Sequence, residues 1–303
     1  MKRVLVLKGG GLRGLIQLDA LRTIERHFQK PTHEIFDLIV GSSVGAVSGG
    51  ILSMGEHTVE QYIEIFLTYF PMIFKTKWWR VFFGAIYSRK NFYLMWEHLY
   101  YQKTILMKEC RTKFMATAVN VCDNRTHYFK SWEQKDGNEE LRLQIAKSFA
   151  APFYFGHLVD YKEKAVWIDG GAGTSNTPLD IALTETINLG WNNELVQFIL
   201  LGTGTSDLSI PFDIARKQGE IRQMYSYIRP REGGLARIQS TLNKVQRMRI
   251  TAKANPLIDF RYYDVEIGQK MDAMARLKYL PEYLAFGRIV ADKVAADLKN
   301  WPK

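Results

Sequence analysis

Short, unbroken apolar runs alternate along this chain with stretches whose apolar residues recur at helical spacing. "VLVL" (4–7) is continuous and uncharged, the pattern of a strand buried on both faces. In "LIQLDALRTIERHF" the apolar positions Leu15, Leu18, Leu21, Ile24 and Phe28 fall on one helical face, which predicts an amphipathic helix. "DLIV" (37–40) predicts the next buried strand, and a helix of small residues follows Ser43. Further strands are expected over "FMATAVNV" (114–121), "THYF" (126–129), "AVWID" (165–169) and "LVQFILLG" (195–202). "EELRLQIAKSFA" reads as a helix that stops before Pro152. "SNTPLDIALTETINLG" carries a polar cap, Pro178 near the first turn and Gly190 as a stop, the signature of another helix.

This alternation predicts an α/β fold with a mostly parallel central sheet flanked by helices. From about residue 206 the pattern turns largely helical, with one strand expected at "FRYYDVEI" (260–267). No compositional break, repeat or linker divides the chain. A single domain over 1–303 is therefore expected, with a motif-bearing core over about 1–205 and a mostly helical completion over about 206–303.

Charge narrows the partners. The chain of 303 residues carries a formal net charge of +10 and a sequence pI of about 9.4, which favours polyanions. Nucleic acid is not expected, since no helix-turn-helix, zinc-finger or RNP pattern occurs; anionic lipid is the remaining class. Two cysteines, Cys110 and Cys122, form neither a disulfide framework nor a zinc spacing, which points to a reducing cytoplasm. Only four apolar residues separate Arg3 from Lys8, too few for a signal-peptide core. No stretch reaches the roughly 18 uncharged apolar residues of a spanning helix. The expectation is a cytoplasmic protein, at most peripheral at the inner membrane surface.

Two glycine-rich turns carry candidate chemistry. "GGGLRG" (9–14) follows a strand, opens a helix and satisfies G-x-G-x-x-G. A dinucleotide site would want an acidic residue after the second strand, and Asp37 stands before it; a phosphate P-loop would want G-K-[ST], which is missing. What remains is a cluster of backbone N–H groups suited to an anion or a transient oxyanion, or a plain tight turn. "GSSVG" (41–45) fits G-x-S-x-G between a strand and a helix. A nucleophile on such an elbow needs small neighbours, which Gly41 and Gly45 supply; a glycine-rich packing turn is the alternative. No histidine follows residue 157, so a Ser, Asp, His order is unsupported. His157 with Asp123 as its orienter has no local support. The strongest acid is Asp169 in "WIDGGAG" (167–173), at a strand end with room beside its carboxylate; its alternative use is an Asx turn.

"GGGLRG", "GSSVG" and "DGG", in that order, together resemble the patatin-like phospholipase family. "AKSFAAPFYF" (146–155), "DGGAGTSNTP" (169–178) and "LGTG" (201–204) agree with it, so the likeness is close over roughly 1–205 and looser beyond. Lys8 departs from the small or acidic residue common before the glycines, and is expected to alter substrate or surface preference. The resemblance implies a three-layer fold and a Ser–Asp dyad without histidine, metal or cofactor. Ser43 would attack a fatty-acyl ester of a phospholipid or lysophospholipid, and Asp169 would take its proton and later activate water. The oxyanion would be held by the N–H groups of Gly10 and Gly11, with Gly9 and Gly14 shaping the loop. Arg13 would brace it or meet lipid phosphate, or else be a simple surface arginine.

Substrate access is the remaining question. "KTKWWRVFFGAIYSRKNFYLMW" (75–96) interleaves Lys and Arg with aromatic rings and reads as a lid or interfacial anchor for anionic lipid, or as an amphipathic element over the core. "ARIQSTLNKVQRMR" (236–249) reads as a helix with a solvated charged face. Alternatives to a lipid acyl hydrolase are a carboxylesterase on soluble or monoacyl esters, a signal-gated membrane-degrading effector, and a lipid-binding regulator with little basal turnover. Intact Ser43 and Asp169 argue against the last. The residues name neither a homo-oligomer interface nor a small-molecule activator, and leave room for both.

Overall fold

A computed structural model of the chain describes residues 1–75, 85–101, 103–152, 154–205, 234–268, 271 and 276–302. Strand β1 (Lys2–Leu7) turns through the first glycine motif into α1 (Leu15–Phe28), and β2 (Leu38–Ser42) turns at Ser43 into α2 (Val44–Ser53). Helix α3 (Val59–Ile73) begins at a capping box. The Thr58 hydroxyl accepts the Gln61 N–H at 3.3 Å, and the Gln61 side chain accepts the Thr58 N–H at 2.9 Å, so two otherwise orphaned amides are satisfied. There follow α4 (Lys90–Tyr100), β3 (Lys113–Asn120), β4 (Arg125–Lys130), α5 (Leu141–Ser148), β5 (Leu158–Asp160), β6 (Ala165–Asp169), α6 (Leu179–Asn188) and β7 (Val196–Leu201). Helix α7 (Gly234–Ala254), β8 (Ile258–Tyr263) and α8 (Leu280–Asp297) complete the chain.

The strands form one eight-stranded sheet. β3, β2, β1, β7 and β8 are parallel neighbours in that order, and β4, β5 and β6 add antiparallel pairs. β1 lies at the centre of the parallel set, which explains its uninterrupted apolar sequence. Its side chains alternate between faces. Leu5 and Leu7 join a core built with α1, α2, α3, α4, α5 and α8. Val4 and Val6 join a smaller one with Leu179 and Ala182 of α6 and Val245 and Met248 of α7. Helices thus cover both faces, giving three layers.

The mostly parallel α/β architecture and the helical C-terminal third are as expected, with residues 206–233 outside the described residues. Helices α3 and α4 and strand β5 are additions to the elements that the sequence pattern predicts. β8 also ends earlier than its apolar pattern implies. Asp264 turns its carboxylate onto the N–H groups of Gly204 (2.7 Å) and Val265 (2.9 Å), and the ladder to β7 stops at Leu201 and Tyr263. Among the described residues no helix is long and apolar enough to cross a membrane.

Candidate active site

Ser43 sits at the sharp junction of β2 and α2, with φ 54° and ψ −125°. That conformation costs a non-glycine residue on the order of 1–3 kcal/mol and persists only where surroundings enforce it. Here the enforcement is steric. A Cβ on Gly41 would run into the Gly45 carbonyl, and one on Gly45 would run into the carbonyl of Leu7 on β1. The turn can close only with hydrogen at both positions. The Ser43 carbonyl accepts the N–H groups of Ala46 (2.9 Å) and Val47 (3.2 Å) and so opens α2, while its own N–H donates to the Ser148 hydroxyl oxygen at 3.2 Å.

Asp169 reaches the same place by a different route. β3 pairs with β2 along 113–117, with β6 along 118–120 and with β4 along 115–120. A strand has two edges, so β2 and β6 share one of them and β4 takes the other. β2 runs up that edge and ends with Ser42 opposite Thr117; β6 runs down it and ends with Asp169 opposite Ala118. The two strands meet head to head. Asp169 is therefore not the end of a parallel strand, the setting its position in an α/β pattern suggests, but the lower end of an antiparallel one. It is 4% exposed. Its N–H donates to the Ala150 carbonyl at 3.0 Å, and its Oδ1 accepts the Gly171 N–H at 2.6 Å. The Asx turn that the sequence offered as the alternative use of Asp169 is thus present, and it orients the carboxylate.

The first glycine motif lies beside both residues. A Cβ on Gly9 would stand 3.0 Å from the Ser43 Cβ and against the Asn176 amide oxygen, and one on Gly171 would stand 2.7 Å from that same oxygen and 3.0 Å from Asp169 Oδ1. Ser43, Gly9, Asn176, Gly171 and Asp169 are thus contiguous. The loop is tied down on each side: the Gly9 N–H donates to the Asn176 carbonyl at 3.0 Å, and the Thr203 hydroxyl donates to the Gly9 carbonyl at 3.0 Å. Gly10 packs directly on Thr203, Gly14 on Val44, and Gly11 takes φ 58° to open the turn 11–14. Arg13 is 4% exposed, so the simple surface arginine is excluded; Lys8 is buried as well. Backbone geometry beneath them is set by Gln17, whose amide donates to the carbonyls of Lys8 (3.0 Å) and Leu201 (2.8 Å).

Other sequence candidates go elsewhere. Asp123 pairs with His127 at 2.6 Å, and His157 is exposed, so the two do not form a base and its orienter. Burial pushes the Cys110 thiol up to about 12, which leaves it protonated at neutral pH. No group of three or more metal-ligating side chains occurs among the described residues. In the segment 75–96, Trp78, Trp79, Phe82 and Phe83 lie outside the described residues, while Tyr87 and Trp96 are 5% and 1% exposed. Those two belong to the core, Tyr87 with its ring 5.1 Å from that of Phe74. The basic face of α7 is solvated at Arg247 and Arg249 but not at Lys244. That ammonium is buried against the Thr174 and Thr177 carbonyls (2.6 and 3.0 Å) and Asp180 (2.8 Å). Residues missed as site builders are Ser148, Ala150, Asn176 and Thr203. All four lie in stretches that stood out as motifs, yet only long-range contacts reveal their partners.

A family model described as patatin-like phospholipase matches residues 5–183. Phospholipase A I of Arabidopsis thaliana is 39% identical over 72 residues, covering 24% of this chain and 6% of that protein. A cGAMP-activated phospholipase of Escherichia coli (strain TW11681) is 26% identical over 240 residues, covering 71% of this chain and 66% of that protein. The chain therefore spans less than two thirds of the length of these curated relatives. Among solved structures, VipD from Legionella pneumophila has a TM-score of 0.48 and 11% identity, over 98% of this chain and 67% of that one.

Proposed function

Since this chain belongs to the patatin-like phospholipase family, we propose that it hydrolyses fatty-acyl esters of phospholipids or lysophospholipids through Ser43 and Asp169. The observation that carries this reading is the head-to-head meeting of β2 and β6 on one edge of β3, with Gly9 packed over Ser43.

In the proposed reaction Ser43 Oγ attacks the ester carbonyl carbon and its proton passes to the Asp169 carboxylate. The carbonyl oxygen becomes an oxyanion. Because the Gly9 N–H is taken by Asn176, the N–H groups of Gly10 and Gly11 are the donors assigned to it, in a loop that Gly9, Arg13 and Gly14 shape. The tetrahedral species collapses by breaking the bond to the lysolipid or glycerol oxygen, which leaves with the proton from Asp169. Water then attacks the acyl-enzyme, giving its proton to Asp169, and Ser43 leaves reprotonated with release of the fatty acid. A carboxylate is a weak base for an alcohol, so most of the barrier reduction falls to fixed backbone dipoles at the oxyanion. The net charge of +10 favours docking on anionic lipid at a cytoplasmic membrane face.

The test is fatty-acid release from anionic phospholipid vesicles without added metal, comparing wild type with Ser43→Ala and Asp169→Asn. Loss in both folded variants supports the dyad. Turnover of soluble esters alone, through Ser43, would keep the chemistry and remove the lipid assignment. One Escherichia coli relative is named as cGAMP-activated, so the assay is run with and without that nucleotide. Activity only in its presence would make this chain a gated enzyme.

A further inference from the structure

Lys147 is fully buried, at 0% exposure, although nothing in the proposed chemistry uses it. It lies near the end of α5, one residue before Ser148. Its ammonium is held by Asp160 Oδ2 at 2.9 Å and Glu163 Oε2 at 3.0 Å, and lies 4.9 Å from the Trp167 ring and 5.2 Å from the Phe129 ring. Desolvating an ammonium costs several kcal/mol, and a buried ion-pair cluster replaced whole by apolar residues of similar volume is often equally or more stable. Stability alone therefore does not explain a lysine here.

Its connections lead to both members of the candidate dyad. Asp160 and Glu163 belong to the β5–β6 hairpin, whose turn is rigid because Asp160 Oδ1 also accepts the N–H groups of Lys162 and Glu163, each at 3.0 Å. That hairpin ends in Asp169. On the other side of the ion pairs, the residues following Lys147 grip the dyad backbone. The Ser148 hydroxyl oxygen accepts the Ser43 N–H at 3.2 Å, and the Ala150 carbonyl accepts the Asp169 N–H at 3.0 Å.

We propose that Lys147 is a positioning residue for the dyad: by docking the β5–β6 hairpin onto the end of α5, it fixes the segment 148–150 that holds the Ser43 and Asp169 amides in register. The inference rests on the Ser43–Asp169 reading above. Its physical basis is that the hairpin touches Ser43 through no covalent path shorter than the whole intervening chain, so their mutual placement depends on packing. Misplacement of reacting groups by about 1 Å costs up to roughly 100-fold in rate.

The experiment uses the full chain as wild type, Lys147→Met and Ser148→Ala. Each is checked by circular dichroism and thermal melting, and assayed well below the melting transition. Two quantities are read: kcat and KM on a soluble p-nitrophenyl ester, and the rate of covalent labelling by a fluorophosphonate, located by mass spectrometry. Folded Lys147→Met is expected to label at Ser43 and turn over about 10- to 100-fold more slowly, with KM within about twofold. A merely structural lysine would instead lower the melting temperature and leave kcat unchanged, and that result overturns the proposal. If Lys147→Met does not fold, Ser148→Ala decides. It keeps both ion pairs and removes only the oxygen that accepts the Ser43 amide, and wild-type kcat in that variant overturns the proposal. Failure of wild type to label at Ser43 would overturn the dyad itself, an outcome distinct from normal labelling in both wild type and Lys147→Met.

Discussion

Asp169 stands opposite Ala118 on the rung next to the Ser42–Thr117 pair, so two strands running in opposite directions stop one residue step apart. Each brings its terminal turn to that point, Ser43 from below and Gly170 from above. The packing is close: a Cβ on Gly170 would stand 2.9 Å from the Ser42 hydroxyl oxygen.

On the proposed mechanism, replacing Ser43 or Asp169 is expected to abolish turnover while sparing the fold. Asp169→Asn keeps a side-chain oxygen for the Gly171 N–H, so its melting temperature is expected near that of wild type, with kcat lower by about 100-fold or more. Ser43→Ala retains the same backbone and is expected to lose covalent labelling altogether. Thermal melts beside fatty-acid release check both.

The elbow glycines are expected to tolerate nothing larger. Gly41→Ala and Gly45→Ala each drive a methyl into a backbone carbonyl, at a cost of roughly 3 kcal/mol. Gly190 is the control: its φ is 77° with nothing within 4 Å of a Cβ, so Gly190→Ala meets only the backbone penalty of about 1 kcal/mol. Urea unfolding midpoints would separate the two classes.

Residues beyond the family-matched segment 5–183 are expected to matter for the site. Thr203→Val removes the donor to the Gly9 carbonyl while keeping the volume packed on Gly10. A fall in kcat of about tenfold with little change in KM is expected, as one loop tether is lost. Lys244→Met leaves the Thr174 and Thr177 carbonyls without their donor and is expected to cost about 2 kcal/mol in stability.

Acid stability should carry the mark of Asp160. Burial pushes its carboxyl up, but the Glu163 N–H and the Lys147 ammonium outweigh that and hold it below the ordinary value of 3.8. A folded pKa below the unfolded one stabilises above the unfolded value and is lost as pH falls through the folded one. The stability difference between wild type and Asp160→Asn is therefore expected to be constant above about pH 5 and to shrink below about pH 4. Urea titrations at several pH values between neutrality and pH 3 measure it.

How much of this was legible beforehand differs by kind of feature. The sequence by itself determined the strand and helix runs of the parallel core, the tight strand-to-helix turn at Ser43 and the glycine turn before α1. Each of these follows from burial periodicity or turn sterics within a few residues, where the chain's local pattern is decisive. Tertiary structure alone decided that β6 descends onto the edge β2 had already taken, because the free length of that edge, 118–120 of β3, is set by where β2 stops. It also decided which charges are internal. Arg13, Lys147 and Lys244 look like solvated residues in sequence, yet Lys147 finds a carboxylate 16 residues on and Lys244 one 64 residues back. A cation can be buried only where an opposite charge and spare carbonyls meet it, and that meeting is a property of the folded chain.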